Sequence, residues 1–568
     1  MIRNYLISII LIIALILSVN IVTFSNSTKS ILDLQTRRTE ISVPLKGRQN
    51  ESVTLINLNP VINAWYILQI NKDDKSIESY HLENAYPGIQ KLELSENGRE
   101  LILAADSLPP YSKSWSVEIE SVLAEARKIQ RPFVELCEGR LYLRNPTVGK
   151  RTRKEWMTDL LRDRVKYGER ITTFIKEKLF RDKYRQIGVR KKQAIENNAI
   201  DNLIKPVKVH TETDVANLTL TTPDLNLTIS VESGQGMKPG HWYPVTDYPG
   251  VFVSAVTPEL VFEDPTWIEE VLISPLDDKE SSALVYLVAF DLSKFDLHFA
   301  LGTDHPRVGW SDRVPETSHD PLLPGPDGFD TVLPLVRTGK VNPHNVRLVA
   351  ATFAGGFKRT HGAFKWGELA SKNHGSHYGF VENGVVFSTL NPGLATLIVY
   401  VDGTVDMKTW QNNDRLFTKE ILGARQNGVP LLEKDNVTGE IRPGSFVKDW
   451  AKGNWSGSES KQLRTLRAGV GIQETDTTRF LIYGYFSSTT PSTMARVFRA
   501  CGCKYAMQLD MNAPEHTYLA IYRIIDDKFV VQRLVKEMAE VDPPVDGQEL
   551  PRFIGYSDNR DFFYFLRK

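Results

Sequence analysis

The sequence predicts an α+β protein: mixed sheets with flanking helices in a C-terminal domain, preceded by a transmembrane helix, a small all-β module and a helical subdomain. Three observations predict it. An apolar run opens the chain, strand-like alternation and then helix-like spacing follow it, and strands separated by turns continue from about residue 240 to the end.

Arg3 precedes an apolar run from Tyr5 to about Phe24, broken only by Ser8, Ser18, Asn20 and Thr23, and no charge appears again before Lys29. A helix rising about 1.5 Å per residue crosses a hydrocarbon core with roughly 20 such residues. Leu, Ile, Val and Phe each contribute roughly −0.3 to −0.6 kcal/mol near the membrane centre. No small-residue cleavage pattern follows, so 1–28 is read as an uncleaved anchor, against the alternative of a cleaved signal peptide, with a cytoplasmic N-terminus and an extracytoplasmic bulk.

Residues 35–112 are predicted as the β module, from the segments 52–58, 65–70 and 90–94 and turn signals at Asn59-Pro60, Pro87-Gly88 and Asn97-Gly98. Such a module would space the remainder from the membrane. Residues 113–195 are predicted helical. Ile119, Val122, Leu123 and Ala126 recur at helical spacing, and Thr152-x-x-Glu155 fits a capping box ahead of Trp156, Leu160, Leu161 and Val165. A polar linker is expected over 196–238, and the main domain over 239–568. There, strands are expected at 283–292, 346–352, 396–401, 480–485 and 505–509, with a helix over 493–501.

Lys+Arg and Asp+Glu both number 69 in 568 residues, which argues against nucleic acid as partner. The three cysteines, Cys137, Cys501 and Cys503, do not make a disulfide scaffold and read as small buried residues.

Three clusters carry candidate chemistry. In Ala354-Gly355-Gly356-Phe357-Lys358-Arg359-Thr360-His361, the paired glycines permit close backbone approach, and their N–H groups with Lys358 and Arg359 suit a phosphate. Arg467, in Arg464-Thr-Leu-Arg467-Ala-Gly-Val-Gly-Ile, suits bidentate binding of phosphate or carboxylate, or is a surface Arg at a strand start. Asp510, in Gln508-Leu-Asp510-Met-Asn512-Ala-Pro-Glu-His516, ends an apolar strand without apolar periodicity to explain it. It is an acid/base, nucleophile or metal-ligand candidate, or a turn cap.

The order of these motifs, and the stretch Cys503-Lys-Tyr-Ala-Met-Gln-Leu-Asp510, resembles the phosphodiester glycosidase domain over roughly residues 240–560. The family's signatures look like Asn-Gly-Gly-Phe, Arg-Thr-Ala-Ile-Gly and Asn-Leu-Asp-Gly-Gly-Gly-Ser. Here Ala354 stands in place of Asn, and Met511-Asn512-Ala513-Pro514 replaces the glycine-rich turn, as in a divergent bacterial branch. The resemblance implies a hydrolase acting on a sugar-1-phosphodiester or a phosphate-containing glycan of the cell envelope. Gly355, Gly356, Lys358, Arg359, Arg467 and Asn512 would bind substrate. Asp510 would be nucleophile or base, with His361, His516 and Glu368 as candidate proton donors. No cofactor is implied. A divalent metal is left open, with His374 and His377 as candidate ligands against the alternative of solvated loop histidines. The rival readings are a catalytically inactive glycan-phosphate binding module and a structural envelope protein.

Overall fold

A computed structural model describes residues 30–46, 50–72, 76–105, 119–164, 183–192, 203–210, 218–230, 236–364, 368–371, 378–414, 421–450, 464–542, 544–545 and 548–568. The segment 1–28, read above as an anchor, lies outside them, as do His374 and His377. Among the described residues no helix is long and apolar enough to cross a membrane.

Among the described residues the protein is mostly β-sheet, which corrects the α+β expectation. Among the described residues, the helices of eight residues or more are Ile119–Lys128, Arg153–Arg164 and Pro491–Ala500. The block 113–195 is not a helical unit. Phe133–Leu136 and Leu141–Arg144 within it are strands, joined by a turn in which Cys137, Glu138 and Gly139 all have positive φ. They extend an antiparallel sheet of spatial order Thr39–Pro44, Ser52–Asn57, Trp65–Lys72, Ser76–Asn84, Leu141–Arg144, Phe133–Leu136.

That sheet buries both faces. Because side chains alternate along a strand, Tyr66, Leu68 and Ile70 pack with Val53, Leu82 and Leu123 in a local core. Trp65 and Ile67 point the other way and join the large core of the remaining chain. The module is therefore docked rather than a spacer. The stretch read as a linker is also packed: Leu218–Thr221 pairs with Val189–Lys192, and Ile204, Val207 and Leu227 enter the large core.

The main body carries an eight-stranded sheet that includes, as neighbours, Arg479–Thr489, Thr465–Glu474 and Cys503–Met511. The helix Pro491–Ala500 links the first of these to the last. Thr490 caps it, and Pro491 occupies the first turn, where a missing N–H costs nothing. Gly469 and Gly471 let this helix lie on the strand, since a Cβ would come within 2.8 Å of Met494 Cε and 3.1 Å of Phe498 Cδ1. These glycines of the Arg-x-x-Val-Gly motif therefore serve packing. All three cysteines are buried.

A five-stranded sheet places the site. Its order is Phe295–Ala300, Phe562–Arg567, Val349–Ala354, Leu519–Ile525, Lys528–Arg533. The C-terminal strand thus runs between two strands formed more than 200 residues earlier. Its lead-in, residues 557–561, is brought against Gly355, whose N–H donates to Asp561 O at 2.8 Å. Gly149, Gly302 and Gly339 flank this lead-in so closely that a Cβ at any of them would collide with the backbone of Asp558 or Arg560.

Candidate active site

Asp510 lies buried near the end of the strand Cys503–Met511. Its Oδ1 accepts from the Met511 N–H at 2.8 Å, and its Oδ2 accepts from Arg560 Nη1 at 2.5 Å. Arg560 Nη2 lies 2.8 Å from His516 Nε2, and His516 Nδ1 lies 2.9 Å from Met511 O. A carbonyl only accepts and a guanidinium only donates. His516 is therefore assigned as the neutral tautomer with its proton on Nδ1. In this arrangement Nε2 is a lone pair rather than the proton donor expected from sequence.

Arg560 also reaches Glu155 Oε1 at 3.1 Å, and Glu155 Oε1 lies 3.2 Å from Lys358 Nζ. Lys358 pairs with Asp159 at 2.7 Å and approaches Asp304 at 3.8 Å. Asn559 Nδ2 donates to Glu155 at 2.9 Å and to Asp304 at 3.4 Å. Lys358, Arg560, Glu155 and Asp159 are all buried. Burial opposes the charge on Glu155, but Arg560 and Lys358 together hold it well below the usual carboxylate range. Burial likewise works against Arg560, yet Glu155 and Asp510 raise its pKa above the ordinary guanidinium value. Arg560 Nε is buried and has no hydrogen-bond partner among the described residues.

Behind this cluster stands a second layer. Asn427 accepts from the Phe357 N–H at 3.0 Å and from Arg425 Nη1 at 2.7 Å, and donates to Gln508 O and Leu509 O at 2.5 and 2.8 Å. One amide thereby staples the Gly-Gly loop to the Asp510 strand with its whole hydrogen-bonding capacity. Asp561 pairs with both Arg425 and His305, which fixes the residue next to Arg560. Burial acts against ionisation of Asp561, but Arg425 and His305 keep it far below the usual carboxylate range.

The structure thus brings Asp510, His516 and Lys358 together, and places the other candidates elsewhere. The Gly355 N–H is taken by Asp561 O, and Gly356, at φ +140°, packs against Arg425 and Asn427, so the glycine pair serves close packing instead of lining a cradle. Arg359 is buried against Asp327 at 2.5 Å and donates to Arg307 O. Arg467 is fully buried, donates to Thr489 O, Gln508 Oε1 and Met511 Sδ, and burial pushes its pKa down to about 9. Asn512, at φ +81°, closes the turn and accepts from Thr465 Oγ1 at 3.1 Å. His361 is half-buried on the turn Arg359–Gly362, and Glu368 is exposed on Glu368–Ser371. The contacts that assemble the Asp510 cluster run instead through Arg560, His516, Glu155 and Lys358. Among the described residues no group of three His, Cys, Asp or Glu side chains is placed to hold a metal ion.

Arg560 and Glu155 went unread in the sequence. The signal for Arg560 was the run Asp558-Asn559-Arg560-Asp561 immediately ahead of an apolar strand. Glu155 looked like a capping-box acid. Thr152 Oγ1 does accept from the Glu155 N–H at 3.1 Å, but the Glu155 carboxylate goes to Lys358, Arg560 and Asn559.

No protein-family model and no curated protein matches the chain. Among solved structures, it is similar to the catalytic domain of zebrafish N-acetylglucosamine-1-phosphodiester alpha-N-acetylglucosaminidase, auto-inhibited by its pro-peptide. The identity is 12%, over 57% of this chain and 85% of that one, with a TM-score of 0.31. A Burkholderia pseudomallei protein matches at 11% identity over 50% of this chain and 74% of that one, with a TM-score of 0.21. A Synechocystis protein matches at 9% over 94% and 99%, with a TM-score of 0.24. At such scores none of them assigns this chain its fold or its activity.

Proposed function

We propose that the protein is a hydrolase acting on a sugar-1-phosphodiester or a phosphate-containing glycan. The observation that carries the reading is the convergence of Asp510, His516 and Lys358 on one buried cluster through Arg560 and Glu155. The order of motifs in the sequence supports it, since Lys358 and Asp510 occupy the positions that the resemblance gives to phosphate and to catalysis.

The chemistry asked of such a site is limited. Phosphate is a fair leaving group, so the main demands are a seat for the phosphate charge and a carboxylate near the anomeric carbon, where positive charge develops. Arg560 and Lys358 supply cations, and Asp510 supplies the carboxylate. His516 Nε2 accepts from Arg560 and so holds the guanidinium beside Asp510. On this reading the substrate is an envelope glycan, and the protein works outside the cytoplasm.

The full chain is incubated with UDP-N-acetylglucosamine and with sugar-1-phosphodiester polymers, and reducing-sugar release is followed. Release that Asp510→Asn abolishes, with the fold retained, is the expected result. Release unaffected by that substitution removes Asp510 from catalysis. A second reading has its own support. Both Asp510 oxygens are engaged by hydrogen-bond donors and Arg560 also reaches Glu155, as in a structural charge lock that holds the helix Arg153–Arg164 on the main body. Ligand binding without any release would favour it.

A further inference from the structure

Over residues 155–160 the helix Arg153–Arg164 is packed the wrong way round for a core helix. Positions i and i+4 share a face, and the face carrying Glu155 and Asp159 is the buried one, at 6% and 7% exposure. Trp156, Met157 and Leu160 are 56%, 57% and 44% exposed. A helix normally docks by its apolar stripe. This one meets the site through its two carboxylates, which lie on Lys358, Arg560 and Asn559.

We infer that Lys358 and Arg560 form an oxyanion seat for a phosphate-class ligand, and that Glu155 and Asp159 occupy this seat as an internal mimic which the ligand must displace. This rests on the functional reading above and adds its regulation. Several features fit. Glu155 bridges both cations, as a phosphate oxygen would. The unpartnered Nε of Arg560 gives the seat a further buried donor for a ligand with more oxygens than one carboxylate. Asp304, 3.8 Å from Lys358, and Asp510, on Arg560, remain when the helix leaves, so neither cation is stranded. The ion pairs of Glu155 and Asp159 with Lys358 and Arg560 are open to competition by anions.

The full chain and its Glu155→Gln/Asp159→Asn form are titrated with inorganic phosphate by calorimetry. Amide exchange over residues 153–160 is measured in phosphate and in chloride of equal ionic strength. The inference expects phosphate affinity at least tenfold higher in the substituted protein. It also expects at least tenfold faster exchange of 153–160 in phosphate than in chloride for the unaltered chain. Unchanged affinity and exchange overturn it. So does loss of UDP-N-acetylglucosamine turnover in the substituted protein, which would make Glu155 or Asp159 part of the working site. The phosphate readouts do not depend on turnover. Tighter phosphate binding without sugar release leaves the seat standing and removes the hydrolase. Release with unchanged phosphate affinity does the reverse.

Discussion

Replacing Arg560 by Met tests whether the buried cluster is held by this one side chain. The guanidinium serves Asp510 at 2.5 Å, His516 at 2.8 Å and Glu155 at 3.1 Å, and its removal leaves two buried carboxylates short of a cation. Glu155 keeps Lys358 and Asn559, and Asp510 keeps the Met511 N–H, so the penalty corresponds to one broken buried pair rather than two. Breaking such a pair costs roughly 3–5 kcal/mol. Urea unfolding followed by circular dichroism at neutral pH reads this loss directly. The pH dependence adds a second check. Glu155 has its folded pKa depressed below the usual 4.5. Its stabilisation is therefore present above 4.5 and is lost as the pH falls through the folded value. The gap between the two proteins should narrow in acid, where carboxylates no longer need a cation. A loss below about 1 kcal/mol, typical of an exposed pair, or a gap that ignores pH, would refute the account of the cluster.

Other consequences are as specific. Burial raises the Glu382 pKa to about 7, above its ordinary 4.5, and Arg144 at 3.8 Å only partly offsets this. The stability it carries is full below 4.5 and is lost as the pH rises through about 7, so Glu382→Gln should flatten that slope, by on the order of 3 kcal/mol; thermal melts across this range decide it. Asn427→Ala strands buried donors and acceptors on both site loops and should cost roughly 2–4 kcal/mol in urea unfolding. A cost under about 0.5 kcal/mol, that of an ordinary surface change, would remove Asn427 as the staple.

Much of the sheet structure was legible because its signals are local. The segment 90–94 is a strand as expected, and the strand Val285–Asp291 and helix Pro491–Ala500 fall within two residues of expectation. Leu123 and Ala126 face a core as their spacing implied. Asp510 stood out because a charge at the end of an apolar strand has no packing explanation. What was not legible depends on long-range pairing. Nothing near residue 560 says that its strand inserts between Phe295–Ala300 and Val349–Ala354 and so carries Arg560 to Asp510. The helix Arg153–Arg164 misled for the opposite reason. Its apolar periodicity pointed to Trp156 and Leu160 as the docking face, whereas the cations opposite it select Glu155 and Asp159. The glycine pair of the first motif looks like a ligand-binding device in sequence, yet both glycines answer to neighbouring side chains in the fold.

The measurement closest to the central claim compares reducing-sugar release from UDP-N-acetylglucosamine by the Glu155→Gln/Asp159→Asn protein and by the same protein carrying Asp510→Asn. The account predicts release by the first and none by the second, with phosphate bound by both. Equal release by the two, or phosphate binding with no release by either, would contradict it.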